Sequence, residues 1–391
     1  AGWLDYDNDG DLDLAVCGYC DSLSERFTKV YRNDAGVFTD IYADITGVSE
    51  GDLSWAKDPN GNSILFVSGI SQLGGPSAAI YFYDPLWDMF VDTTTPMTGV
   101  FFGSSVFGDF DGNGFVDLIY CGRDMSSSIK THLFQNNGSI FEDIIMIDPL
   151  FDLPDADMGD LSCGDIDNDG DLDLLITGNT DGSAFPGGGV PFTQLLENRS
   201  APFMFSFNPI STGFENVYLS STAMGDYDDD GDLDILISGN NGTMPVTKLY
   251  KNNNTPHNID PLPPEMMNST PGIDYVSLDW SDGIDDTTPS DVLTYNIYIR
   301  SAADSSLVVG PMSDVISGTR MIVAGGNNGQ SNSVTIYGLQ QGDYLWSVQS
   351  VDNSFAASGF AFESMFTIEG LQYPDNVLVE IVGENAKVSW D

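Results

Sequence analysis

The chain has 391 residues, enough for two or three domains that each bury a core. Hydrophobic residues make up 41% of it and aromatic residues 12%, which excludes a disordered acidic tail. The formal net charge is −47, from 12 Lys and Arg against 59 Asp and Glu; this argues against nucleic-acid binding, which needs clustered cations, and makes cations the natural partners.

The chain opens into "DYDNDGDLDLAVCG" (Asp5 to Gly18), and the string returns as "DFDGNGFVDLIYCG", "DIDNDGDLDLLITG" and "DYDDDGDLDILISG". Aligned on the closing glycine there are five copies, ending at Gly18, Gly69, Gly122, Gly178 and Gly239, with spacings of 51, 53, 56 and 61 residues. A period near 50 is that of a propeller blade or a similar array. A second element follows each copy: "KVYRNDAGVFTD", "IYFYDPLWDMFVD" and "HLFQNNGSIFED", with weaker forms "QLLENRSAPFMF" and "KLYKNNN". Each reads as strand, polar turn, strand. A repeat therefore holds a strand, an acidic loop, a strand and a hairpin, the four strands of one blade.

Within the loop, oxygen ligands fall at the first, third, fifth and ninth positions, with glycine at the sixth. The four full sets are Asp5, Asp7, Asp9 and Asp13; Asp109, Asp111, Asn113 and Asp117; Asp165, Asp167, Asp169 and Asp173; and Asp226, Asp228, Asp230 and Asp234. The seventh residues, Asp11, Phe115, Asp171 and Asp232, would offer backbone carbonyls. Alternating carboxylates point into one concavity, and the glycine, Gly10 in the first copy, allows the turn that closes it. Six to eight oxygens suit Ca2+ better than Mg2+, which demands a tight octahedron and keeps its waters. An EF-hand or dockerin is excluded, because its loop ends on an acidic twelfth residue between helices. Here Val16, Tyr120, Ile176 and Ile237 stand there, in strand-like runs. A lone acidic turn is an ordinary surface feature; four in register are not.

The second copy, "AKDPNGNSI", breaks the rule. Ala56 and Ile64 replace the first and ninth ligands, Asp58 and Asn60 remain, and Lys57 adds a positive charge. This loop is expected to keep its shape without calcium. Extracellular calcium modules bind at ~0.1 to 1 mM, so such sites fill outside a cell and stay largely empty in cytosol. An extracellular, secreted or surface-attached location follows as an expectation.

These residues resemble the FG-GAP/VCBS repeats of integrin-alpha-like β-propellers. "FFGSSVFGDFDGNGFVDLIYCG" (Phe101 to Gly122) carries the Phe-Gly opening and the acidic loop together, and the "LYRN…G.F" hairpins fit the form found in bacterial surface proteins. The resemblance covers about residues 1 to 254. It implies calcium held by the four loops on one propeller face, in a structural role. Propellers of this family have about seven blades. Five repeats, the first without its opening strand and the last without a clear final hairpin, imply further blades upstream. The chain begins without Met, inside a repeat, and is read as part of something longer.

After the repeats, "TPHNIDPLPPEMMNSTPG" reads as a linker, residues 255–272. "YVSLDW", "LTYNIYIR" and "GDYLWSVQSVD" are alternating strands, with Tyr344, Trp346 and Val348 on one face. Residues 273–370 resemble a fibronectin-type-III-like module, and residues 371–391 the start of another, with Trp390 matching Trp280. The fold class expected is thus all-β: a propeller of at least five blades, then a sandwich.

The function expected is a non-catalytic, calcium-stabilised adhesion or recognition protein that presents propeller loops to a glycan or protein. The alternatives are the propeller part of a secreted polysaccharide-degrading enzyme, or a structural surface stalk. No GxSxG, HExxH or phosphate-loop motif occurs. His132 and His257 are not clustered and read as structural or solvated. The lone CxxC at Cys17 and Cys20, with Cys121 and Cys163, reads as buried or unpaired thiols. No apolar run approaches the ~20 residues that span a bilayer, and no signal peptide is visible. N-x-S/T sequons at Asn137, Asn198, Asn241, Asn253 and Asn268 permit glycosylation, and Trp87 reads as a core residue in preference to an exposed aromatic that stacks on sugars.

Overall fold

A computed structural model describes the chain except residues 10, 35, 148–150, 183–188, 371–377, 383–384 and 390–391, and gives the backbone alone at 146, 378–382 and 385–389. Gly10 and Trp390 therefore lie outside the described residues. Among the described residues the regular structure is almost entirely β, with a single helical turn at Ile144–Ile147.

Five antiparallel meanders follow one another. The first comprises Gly2–Leu4, Asp13–Cys20, Glu25–Asp34 and Val37–Asp40, and the second Val48–Lys57, Ser63–Ser71, Pro76–Asp84 and Met89–Asp92; the pairing of Phe27 with Val48 joins the two into one eight-stranded sheet. The third holds Phe101–Gly108, Asp117–Arg123, Ile129–Asn136 and Phe141–Asp143, and the fourth Leu161–Gly164, Asp173–Asn179, Pro191–Asn198 and Phe207–Ile210. The fifth has three strands, Tyr218–Gly225, Asp234–Asn240 and Pro245–Tyr250. Contrary to expectation, the first repeat does have an opening strand: Gly2, Trp3 and Leu4 pair with Ala15, Leu14 and Asp13. It is three residues long, too short to leave an alternating pattern.

The second strands of the second, third and fourth repeats are buried on both faces, whereas those of the first and fifth leave Tyr19 and Leu236 exposed. In the third repeat Leu118 and Tyr120 face Ile64, Phe66 and Ile80 of the second. The residues between, Ile119 and Cys121, face Leu161, Leu174 and Ile176 of the fourth. In the fourth repeat Leu175 turns the other way, toward Ile235 and Ile237 of the fifth. The period-2 alternation of a strand thus stacks each sheet between its neighbours. The closing glycines Gly69, Gly122 and Gly178 have φ of +145°, +151° and +147°, and a Cβ there would lie 2.6 to 2.9 Å from the segment entering the sheet. Close approach of backbone explains their recurrence.

Two further sheets follow. One contains Met267–Pro271, Val276–Trp280 and Ser333–Ile336; the other runs in the order Leu307–Val309, Thr294–Ser301, Gly342–Val351, Ser364–Ile368. Side chains of both meet in one core that includes Val276, Trp280, Ile297, Ile336, Trp346 and Ile368. Met267–Pro271 falls within the expected linker 255–272, which is therefore shorter than anticipated. Met267 packs on the core, and an edge strand tolerates Pro271 at its end. Tyr344, Trp346 and Val348 are buried as expected, but so are Ser347 and Gln349 on the opposite face. A final pair, Leu378–Val382 with Asn385–Ser389, is antiparallel.

Candidate metal-binding loops

The four full loops share a backbone design that their sequences only partly disclose. The carboxylate at the first position grips the backbone N–H groups of the fifth and sixth. Asp165 accepts from Asp169 N (3.1 Å) and Gly170 N (2.9 Å), and Asp109 and Asp226 repeat the pattern. The described sixth-position glycines, Gly114, Gly170 and Gly231, have φ of +84°, +98° and +90°. The fourth position is left-handed as well, at Asn8, Gly112, Asn168 and Asp229, residue types that tolerate it. Pro59 holds that position in the second copy, and proline locks φ near −65°. This copy closes as a compact turn on itself: Asp58 accepts from Asn60 N (2.9 Å) and Asn62 N (2.8 Å).

The ninth-position aspartate is a buried clamp. Asp13, Asp117, Asp173 and Asp234 are each at most 1% exposed. Asp173 accepts from Ile166 N in its own loop (2.9 Å) and from Asn198 N at the end of the third strand (2.8 Å). Asp13, Asp117 and Asp234 do the same with Tyr6 and Asn33, Phe110 and Asn136, and Tyr227 and Asn252. The asparagine then hydrogen-bonds a loop carbonyl through its own side chain. Asn198 Nδ2 donates to Leu172 O (3.0 Å) and, across the repeat boundary, to Phe110 O (2.8 Å). These asparagines were missed by sequence reasoning, although they recur in "YRN", "FQN", "LEN" and "YKN". Asn198 is fully buried, so its sequon is not a glycan acceptor.

Carboxylate oxygens converge within 4.8 Å of one another in three matching clusters: Asp5, Asp7 and Asp13; Asp109, Asp111 and Asp117; Asp165, Asp167 and Asp173. The fifth loop gathers Asp226, Asp228 and Asp230 instead. The ligand set expected to be common is therefore split. Asp9 and Asp169 stand outside the first and fourth clusters, and Asp234 outside the fifth. Asp9 and Asp169 instead accept from the N–H of Asp11 and Asp171. Asn113 accepts from Phe115 N (2.8 Å). Asp232 ties its side chain to Asn168 (2.9 Å) and His257 (2.8 Å). The oxygens Asp7 Oδ1, Asp167 Oδ1 and Asp171 Oδ1 are buried without a hydrogen-bond partner. Such acceptors are costly unless a cation or an ordered water satisfies them. All-oxygen donors on a turn with converging carboxylates fit a hard cation such as Ca2+.

Burial holds protons on these groups in the metal-free chain. It pushes Asp13 and Asp173 up to about 8, Asp171 up to about 9, and Asp7 and Asp165 up to about 7, with neighbouring aspartates adding repulsion. In the unfolded chain an aspartate titrates near 3.9. The folded state therefore binds more protons between about pH 4 and 8, and stability falls as pH rises through that window. In calcium-free buffer the melting temperature is expected to be higher at pH 5 than at pH 8. A melting temperature that rises from pH 5 to pH 8 would contradict this.

Two lysines serve the loops as internal cations. Lys57 is 5% exposed and does not neutralise its own turn; its ammonium reaches across to Asn8 Oδ1 in the first loop. Lys251 bonds Asp228 and lies 2.8 Å from Asp230 Oδ2, covering two of the three fifth-loop carboxylates. A divalent cation must displace it. Lys251→Met is expected to tighten Ca2+ binding at one site by roughly 3- to 10-fold in a calorimetric titration. An unchanged isotherm would show that Lys251 does not compete.

Elsewhere, all four cysteines are free, and Cys121 is buried. His132 stacks on Tyr120 at 4.9 Å and bonds Asp143. Trp87 is 71% exposed, against the expectation of a core position; it sits at the tip of a hairpin. Among the described residues no helix is long and apolar enough to cross a membrane.

An FG-GAP-like repeat is matched over residues 90–176, a stretch that contains the third and fourth loops. No curated protein matches the chain. Among solved structures, a fungal alcohol oxidase of the AA5 family, in complex with copper, aligns with a TM-score of 0.32 and 9% identity over 94% of this chain and 96% of its own.

Proposed function

We propose that this chain is a calcium-stabilised recognition protein of the extracellular space. In this reading the meanders are blades of an FG-GAP/VCBS-type β-propeller, and the two C-terminal sheets a fibronectin-III-like sandwich. It is non-catalytic: Ca2+ sets the loops, and another surface binds a glycan or protein. The observation that carries the reading is the fourfold recurrence of a left-handed acidic turn. Its ninth carboxylate is clamped by two backbone N–H groups, and the first and fourth loops retain orphaned oxygens that a cation would satisfy. The face-to-face stacking of successive sheets supports a propeller.

The acidic loops join the first and second strands, so the second-to-third connections lie at the opposite end of each meander. Leu23, Leu73, Met125 and Met244 stand at four of those tips, from 59% to 99% exposed. Ligand contact is assigned to this end. The test is a glycan and protein array probed with the intact chain and with Leu73→Ser/Met125→Ser, in Ca2+ and in EGTA. Specific binding that weakens in the variant and in EGTA is expected. Turnover of a polysaccharide by the chain, or binding indifferent to both changes, would overturn the reading.

A further inference from the structure

The acidic-loop face is where the C-terminal sheets sit. Asn353, in the turn after the strand Gly342–Val351, accepts from Asp165 N (3.0 Å) and donates through Nδ2 to Gly170 O (3.0 Å). Ser354 Oγ donates to Asp165 O at 3.2 Å. A Cβ on Gly170 would lie 2.1 Å from Thr287 O. The connecting segment joins in, with Asn254 Nδ2 on Asp167 O and His257 Nδ1 on Asp232 Oδ2. In the fourth loop these contacts fall on backbone atoms of the acidic turn, and they leave the carboxylates of Asp165, Asp167 and Asp173 to converge.

At the third loop the contact is with a carboxylate. Gln330 Nε2 lies 3.0 Å from Asp109 Oδ2, 221 residues away in sequence, while Gln330 Oε1 is buried with no partner. The two ends of an amide exchange by a half-turn about its last bond. That turn gives up the bond to Asp109 and is favourable only with a cation held by Asp109, Asp111 and Asp117, which the amide oxygen would then meet.

Building on the calcium reading above, we propose that cation binding and docking of the C-terminal sheets are one coupled equilibrium, with Gln330 giving its amide oxygen to the cation of the third loop. The metal then bridges two parts of the chain. Coupling is reciprocal: whatever tightens docking tightens the cation by the same factor. The fourth loop contributes by preorganisation, since Asn353 and Ser354 hold its backbone in the ligating shape.

The experiment is a Ca2+ titration by calorimetry on the intact chain, with small-angle scattering in Ca2+ and in EGTA. The variants are Gln330→Ala, Gln330→Glu and Asn353→Ala/Ser354→Ala. Gln330→Ala is expected to weaken one site by roughly 5- to 50-fold. Gln330→Glu should bind at least as tightly as the parent chain, because it adds a carboxylate oxygen. If Gln330 served only as an N–H donor to Asp109, the glutamate would repel that carboxylate and bind more weakly than alanine; that result overturns the proposal. The double variant should weaken a second site and scatter as a longer particle. Ca2+ binding equal in all variants would leave the calcium reading intact and sink the coupling. No Ca2+ uptake by the parent chain would sink both.

Discussion

Removing Ca2+ with EGTA at pH 7.5 is expected to lower the melting temperature by roughly 10 °C. A ligand that binds only the folded state stabilises it by RT ln(1 + [L]/Kd), about 1.4 kcal/mol per site when free Ca2+ stands tenfold above Kd. Four such loops give about 5–6 kcal/mol, and in a repeat region of about 250 residues that unfolds as a unit 1 kcal/mol moves the midpoint by about 2 °C. The physical source is local. Asp7 Oδ1, Asp167 Oδ1 and Asp171 Oδ1 are buried acceptors without donors, and each cluster brings carboxylate oxygens within 4.8 Å of one another. Excess Mg2+ should recover little of the loss, because it gives up its waters reluctantly. A melting temperature indifferent to EGTA would contradict the account.

The second large effect is expected from Asp173→Ala, measured by urea unfolding in calcium-free buffer so that lost ligation does not contribute. Asp173 is fully buried and satisfies Ile166 N and Asn198 N together. Truncation strands two buried N–H groups and detaches the loop from the third strand. Each stranded donor costs about 1–3 kcal/mol, so a loss of roughly 3–5 kcal/mol is expected. Asp173→Asn keeps one acceptor and should cost less than half as much. Asp169→Ala, at an exposed fifth position outside the cluster, should change calcium-free stability by under about 0.5 kcal/mol. If Asp173→Ala costs no more than Asp169→Ala, the clamp described for the ninth position is wrong.

What the sequence disclosed was the local, repeated chemistry. The period, the acidic turn and the apolar second strand all lie within a dozen residues, and their physical reasons are equally local. What escaped it depends on partners far along the chain. Asn33, Asn136, Asn198 and Asn252 read as turn residues, because the carboxylate each one meets is at least 18 residues earlier. Lys57 read as a defect of its own loop, yet its ammonium serves a neighbour 49 residues away. Met267–Pro271 looked like linker because a short edge strand with Asn, Ser and Pro carries no alternation. The four loops are less alike than their sequences: Asp13, Asp117 and Asp173 stand in clusters of converging oxygens, Asp234 does not, and Lys251 covers Asp228 and Asp230. That the C-terminal sheets cover the acidic face left no local trace, since Gln330 and Asn353 stand in unremarkable polar turns.

The most direct measurement is a count of bound Ca2+ by native mass spectrometry of the intact chain, repeated with Asp167→Ala and Asp7→Ala. The account predicts about four ions, with one fewer in each variant and two fewer when they are combined. No bound ions, or a count unchanged by these substitutions, would contradict it.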